Sequence, residues 1–145
     1  MFKYTVTYED FNGNTRTEDL YFNLSKSEMI KLDNSVPGGM GNKLLRISRA
    51  ADNVEIMQTL DWLLRSSYGI KSDDGRRFVK GDALYEEFMQ TEAYNVFFTD
   101  LLEKENLMTE FIRKVMPIEN DEQWNAVQEK MTEYTKPEIE ILKTE

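Results

Sequence analysis

The sequence predicts an α+β fold: an N-terminal β-hairpin followed by a mostly α-helical body with several amphipathic helices. Three observations predict it. Residues Phe2, Tyr4, Val6 and Tyr8 alternate with Lys3, Thr5 and Thr7, the two-residue period of a half-buried strand. The Asn12-Gly13 step tolerates positive φ and precedes a second β-prone run, Thr15 to Phe22. From Ser25 onward the apolar residues recur at helical spacing instead.

The first helix is predicted to start at Ser25. Its hydroxyl can cap the helix, Glu28 stands three positions later as in a capping box, and Met29, Ile30 and Leu32 begin an apolar stripe. Val36-Pro37-Gly38-Gly39 ends it, and a second amphipathic stretch carries Met40, Leu44, Leu45, Ile47 and Ser48. Val54 to Tyr68 is the strongest helical pattern, with Ile56, Met57, Leu60, Leu63, Leu64 and Ser67 on one face, Asp52 or Asn53 as cap and Gly69 as terminator. Lys71 to Lys80 contains a turn-forming Asp74-Gly75 and reads as an exposed loop or short ribbon.

Gly81-Asp82 leads into a helix with Leu84, Tyr85 and Phe88 inward. Thr91 caps the next one, whose buried stripe is Tyr94, Phe97, Phe98, Leu101 and Leu102, the aromatic centre of the expected core. A further helix with Leu107, Met108, Phe111, Ile112 and Val115 runs to Met116-Pro117. The chain thus divides into a hairpin-plus-helical domain, residues 1–116, and an acidic C-terminal helix or tail, residues 117–145. In that tail Trp124, Val127, Met131 and Tyr134 still recur at helical spacing.

With 145 residues, 40% of them hydrophobic and 12% aromatic, the chain is long enough for one domain with a real core. Its 18 basic residues against 27 acidic ones give a net charge of -9, the wrong sign for gripping a phosphate backbone, so no nucleic-acid partner is expected. The absence of Cys and His removes disulfides, thiolate zinc sites, the commonest general base and the commonest metal ligand. No long apolar run and no positive-then-apolar leader occur, so a soluble cytosolic protein without a membrane partner is expected.

Candidate chemistry is sparse. The acid pairs Asp73-Asp74, Glu86-Glu87 and Asp121-Glu122 match the solvated faces of any acidic protein better than a cation site. The glycine-rich Val36 to Gly41 lacks the Gly-Lys-Ser/Thr ending of a phosphate loop. Arg76-Arg77, with Lys71 and Lys80, is balanced by Asp73, Asp74 and Asp82. The 8 Met residues form an adaptable apolar inventory, suited to filling core gaps and to binding amphipathic helices. No catalytic residue and no cofactor is expected.

The opening Tyr4-Thr5-Val6-Thr7-Tyr8-Glu9-Asp10-Phe11-Asn12-Gly13, with Arg16 to Glu28 after it, resembles the N-terminal part of tail assembly chaperones from tailed phages and prophages of Gram-positive bacteria. Tyr68 to Phe78 and Phe88-Met89-Gln90-Thr91-Glu92-Ala93-Tyr94 resemble the middle of the same family, so the likeness spans residues 4–116 and stops before the acidic stretch. The resemblance implies a non-enzymatic protein of the host cytoplasm that coats the tape measure protein while the tail tube assembles, and that is absent from the mature virion. It also implies a longer form made by ribosomal frameshifting, and association with other copies of the chain through the hairpin edge or the apolar helix faces is expected beside it. The apolar helix faces supply the candidate partner-binding residues Tyr94, Phe97, Phe98, Met108, Phe111, Trp124 and Met131. Two other readings stand beside it. One is a minor tail or connector subunit retained in the virion; the other is an acidic mimic of DNA, which the even mixing of charge up to residue 116 disfavours.

Overall fold

The computed structural model describes residues 1–35 and 53–116. Its elements are β1 (Phe2–Glu9), β2 (Thr15–Phe22), α1 (Lys26–Ser35), α2 (Asn53–Ser67), β3 (Tyr68–Lys71), β4 (Phe78–Val79), α3 (Asp82–Met89), α4 (Glu92–Glu103) and α5 (Leu107–Val115). The α+β class is as the sequence predicts. The second amphipathic stretch, Met40 to Ser48, and the acidic tail lie outside the described residues.

β1 and β2 pair antiparallel in an unbroken register from Phe2↔Phe22 to Glu9↔Thr15. Asp10 organises the turn: its carboxylate accepts from the backbone N–H groups of Asn12 and Asn14, each at 2.9 Å, and from Arg16 Nε at 2.6 Å. Gly13 takes φ 83°, the left-handed conformation that the Asn-Gly step anticipates. The bond from Arg16, followed by those from the backbone, holds the Asp10 carboxyl below the usual range.

The sheet is larger than the predicted hairpin. β3 adds antiparallel to β2 through Tyr21↔Gly69 and Phe22↔Tyr68, and β4 adds to β3, giving the order β1-β2-β3-β4. Tyr68 therefore belongs to a strand rather than to the helix, and Gly69 is a strand residue rather than a helix terminator. The helix stops at Ser67, whose hydroxyl donates to the Leu63 carbonyl at 2.6 Å and whose carbonyl accepts from Asn23 N–H at 2.8 Å. Gly69 is needed because the Phe78 ring lies across it, with a ring carbon 2.6 Å from where a Cβ would sit. Gly69→Ala is expected to swing that ring aside and to cost about 1 kcal/mol. Denaturant unfolding measures the loss, and shifted Phe78 ring resonances locate it.

The predicted capping box forms. Ser25 Oγ accepts from Glu28 N–H at 3.1 Å, and Glu28 Oε1 accepts from Ser25 N–H at 2.9 Å. Lys80 Nζ donates to both Glu28 oxygens, at 2.9 and 2.8 Å, and to the Ser66 carbonyl at 3.0 Å, so one ammonium ties α1 to the end of α2 and the exit of β4. Burial works to raise the Glu28 pKa, but Lys80 and Ser25 together hold it below the ordinary value. A carboxyl depressed on folding contributes stability above its unfolded pKa, about 4.3, and loses it as pH falls through the lower folded value. Glu28→Gln is therefore expected to lower the melting temperature at neutral pH and to make its fall in acid shallower, read as melting temperature against pH for both proteins.

The helices cover one face of the sheet. Phe2, Val6, Leu20 and Phe22 point inward from β1 and β2, and Phe97, Leu101, Phe111, Ile112 and Val115 meet them from α4 and α5. The Phe22 and Phe97 rings stack at 4.8 Å, and Phe111 stands edge-on to Phe2 at 5.3 Å and to Phe22 at 5.4 Å. Leu60, Leu63 and Leu64 of α2 join the same core. Tyr68 lies parallel to Phe88 at 4.2 Å, which fixes α3 against β3. A polar tie closes the sheet onto α4: Tyr4 Oη donates to Asp100 at 2.6 Å and accepts from Lys104 Nζ at 2.9 Å.

Candidate partner-binding surfaces

α4 starts where the sequence places its cap, with Thr91 Oγ1 accepting from Tyr94 N–H at 3.2 Å. That start sets the phase of the helix and divides the predicted stripe in two. Ala93, Phe97 and Leu101 face the sheet and are buried, whereas Tyr94, Phe98 and Leu102 lie half-buried along the flank. Of the candidate partner-binding residues, Phe97 and Phe111 are fully enclosed and Met108 is nearly so. Tyr94 and Phe98 keep accessible surface, their rings 5.8 Å apart. Trp124 and Met131 lie outside the described residues.

The flank is anchored from below. Tyr85 of α3 is completely buried, donates to Asp61 Oδ1 of α2 at 3.3 Å, and has the Arg65 guanidinium 4.9 Å above its ring. Tyr94 meets Tyr85 nearly at right angles, with centroids 6.3 Å apart. Burial is the main cause that pushes both phenols above their ordinary pKa, and both stay protonated at neutral pH, Tyr85 as the donor to Asp61. This cluster joins three helices and holds the Tyr94 end of the flank in place.

A second surface lies at the tip of the hairpin, where an open groove of about 370 Å³ separates the β1–β2 turn from the junction of α3 and α4. Tyr8, Phe11 and Gln90 line it together with Asp10, Glu18 and Glu92. Phe11 is 78% exposed at its rim, the most exposed large apolar side chain among the described residues. Arg16 also reaches the groove but is engaged by Asp10, so its walls carry net negative charge. In the sequence Phe11 has only the look of a turn residue, and its one signal is a phenylalanine between Asp10 and Asn12, where a hairpin turn ordinarily carries polar residues.

The third surface is the outer face of the sheet, which is polar. Thr5 Oγ1 donates to Asp19 at 2.6 Å, Thr7 and Thr17 hydroxyls lie 3.0 Å apart, and Lys3 reaches Asp19 at 3.7 Å. The ribbon formed by β3 and β4 is closed by its own polar groups, with Asp74 accepting from Ser72 Oγ at 2.7 Å and from Arg76 N–H at 3.1 Å. The Lys71 ammonium sits 4.4 Å from the Tyr21 ring centroid, and Lys80 is held by Glu28. Of this basic group, Arg76 and Arg77 extend into solvent.

Among the described residues no three carboxylates converge on a site that would hold a metal ion, and no helix is long and apolar enough to cross a membrane. Asp82 and Glu86 instead approach Arg65, at 3.7 and 3.8 Å.

No curated protein and no solved structure matches this chain. A family model described as phage tail assembly chaperone matches it over residues 1–145, through the acidic stretch where the resemblance read from the sequence stops. The chain therefore belongs to the phage tail assembly chaperone family.

Proposed function

We propose that this protein binds the tape measure protein and keeps it soluble while the tail tube is built, acting without catalysis in the cytoplasm of a Gram-positive host and leaving before the particle is complete. The observation that carries the reading is the family match along the whole chain. The surfaces support it. A tape measure protein is a long helical chain with apolar stripes exposed until the tube encloses them, and such stripes need a cover that can be removed.

The Tyr94–Phe98–Leu102 flank and the Phe11 rim offer apolar contact, and both are limited in extent, as reversible binding requires. The net charge of -9 keeps a loaded complex dispersed. A frameshift-extended form carrying the same domain would present the same surfaces.

The test is light scattering of an aggregating helical tape measure fragment diluted out of denaturant. The full chain in molar excess is expected to suppress the scattering, and Phe11→Ser to weaken that protection severalfold with an unchanged melting temperature. Undiminished scattering overturns the reading. Stoichiometric recovery of the chain in purified particles would make it a tail subunit instead.

A further inference from the structure

We propose that β1 is a pairing site for a second copy of this chain, joined antiparallel about a two-fold axis at Val6, with Lys3 opposite Glu9 of the other copy and Thr5 opposite its Thr7.

The sheet order leaves β1 at an edge, and the opposite edge is β4 with only 2 residues. β1 has 8 residues in unbroken register with β2, and among the described residues no strand pairs with its outer side. A long, regular edge strand is a template for another strand, and proteins that avoid such pairing interrupt the edge with proline, bulges or inward-pointing charges. β1 has none of these. Its inward residues are Phe2, Tyr4, Val6 and Tyr8, its register has no bulge, and Lys3 is its one basic residue.

The strand's own sequence selects the partner and the register. Antiparallel neighbours share a face, so the exposed Lys3, Thr5, Thr7 and Glu9 must oppose one another across the axis. The register centred on Val6 places opposite charges together at both ends and threonine against threonine between them. On the inner face it sets Tyr4 against Tyr8 twice, with Val6 against itself. Centring on Thr5 or on Thr7 instead leaves one charge of each strand opposite threonine and the other beyond the strand end. The threonine pair has a precedent within the chain, where Thr7 and Thr17 already oppose each other across β1 and β2. Aromatic, threonine and opposite-charge cross-strand pairs are each favourable, and a two-fold axis doubles each of them. The product is one continuous sheet with the helices of both copies on the same side. The pairing does not depend on the tape-measure reading.

Sedimentation velocity of the full chain over a concentration series is expected to show a monomer–dimer equilibrium. Glu9→Lys puts like charges together at both ends and is expected to weaken the dimer about tenfold; adding Lys3→Glu to it restores the pairing. Both positions are exposed, and circular dichroism checks that the fold is kept. Because the chain contains no cysteine, register can be read directly: mixed Thr5→Cys and Thr7→Cys chains should cross-link to each other in preference to themselves on mild oxidation. A monomer throughout the series, a dimer indifferent to Glu9→Lys, or no preference for the mixed cross-link would overturn the proposal.

Discussion

Phe97→Ala is expected to destabilise the protein by about 3–5 kcal/mol, among the largest losses a single truncation can cause here. Phe97 is fully enclosed, stacked on Phe22 at 4.8 Å and in contact with Phe2, Tyr4 and Phe111 at centroid distances of 6.3, 5.3 and 5.8 Å. Its removal costs the transfer free energy of the ring and leaves a cavity that two paired strands and two helices cannot close without breaking the sheet register. A domain of this size has about 5–15 kcal/mol in total, so the variant should unfold at much lower urea concentration with a similar slope. Phe98→Ala, one residue along on the half-buried flank, should cost much less, and the contrast checks the assignment of core against flank.

Tyr85→Ala is the second large effect, at about 3–5 kcal/mol. The ring touches Tyr68, Phe88 and Tyr94 edge-on and carries Arg65 over its face, so its loss loosens α2, α3 and β3 together. Tyr85→Phe keeps the ring and removes only the hydroxyl that donates to Asp61, which should cost about 1 kcal/mol. Thermal unfolding of the pair separates the packing of this residue from its hydrogen bond. If the two variants lose the same amount, the buried hydroxyl rather than the ring holds these elements together.

Local patterns made most of this fold legible in the sequence. β1 shows because its four inward residues alternate without interruption, and α1 and α4 start where Ser25 and Thr91 cap them, since a cap needs only residues three positions apart. β3 was missed for the opposite reason. It is four residues long, has glycine at its second position, and becomes a strand through pairing with β2 some 47 residues earlier, Tyr21 with Gly69 and Phe22 with Tyr68. No window of sequence contains that pairing.

The candidate surface was legible only as apolarity. Periodicity identifies the apolar side of α4 but does not divide it between the residues that face the sheet and those that face outward. Phe97 lies inside and Phe98 on the flank because α4 packs on β1 and sets Phe97 against Phe22 of β2, which is a tertiary fact. Phe11 escaped for want of any period, being a single apolar side chain in a turn. The alternation of β1 marks Tyr4 as an inward strand residue, but its bonds to Asp100 and Lys104 span 96 and 100 residues of chain and leave no trace in local pattern.

Co-expression of the full chain with the tape measure protein, followed by affinity capture and size-exclusion chromatography of the soluble fraction, tests the central claim most directly. The account predicts that the tape measure protein becomes soluble and elutes with this chain as one stable complex. A tape measure protein that stays insoluble, or that is soluble alone and elutes apart from this chain, would contradict it.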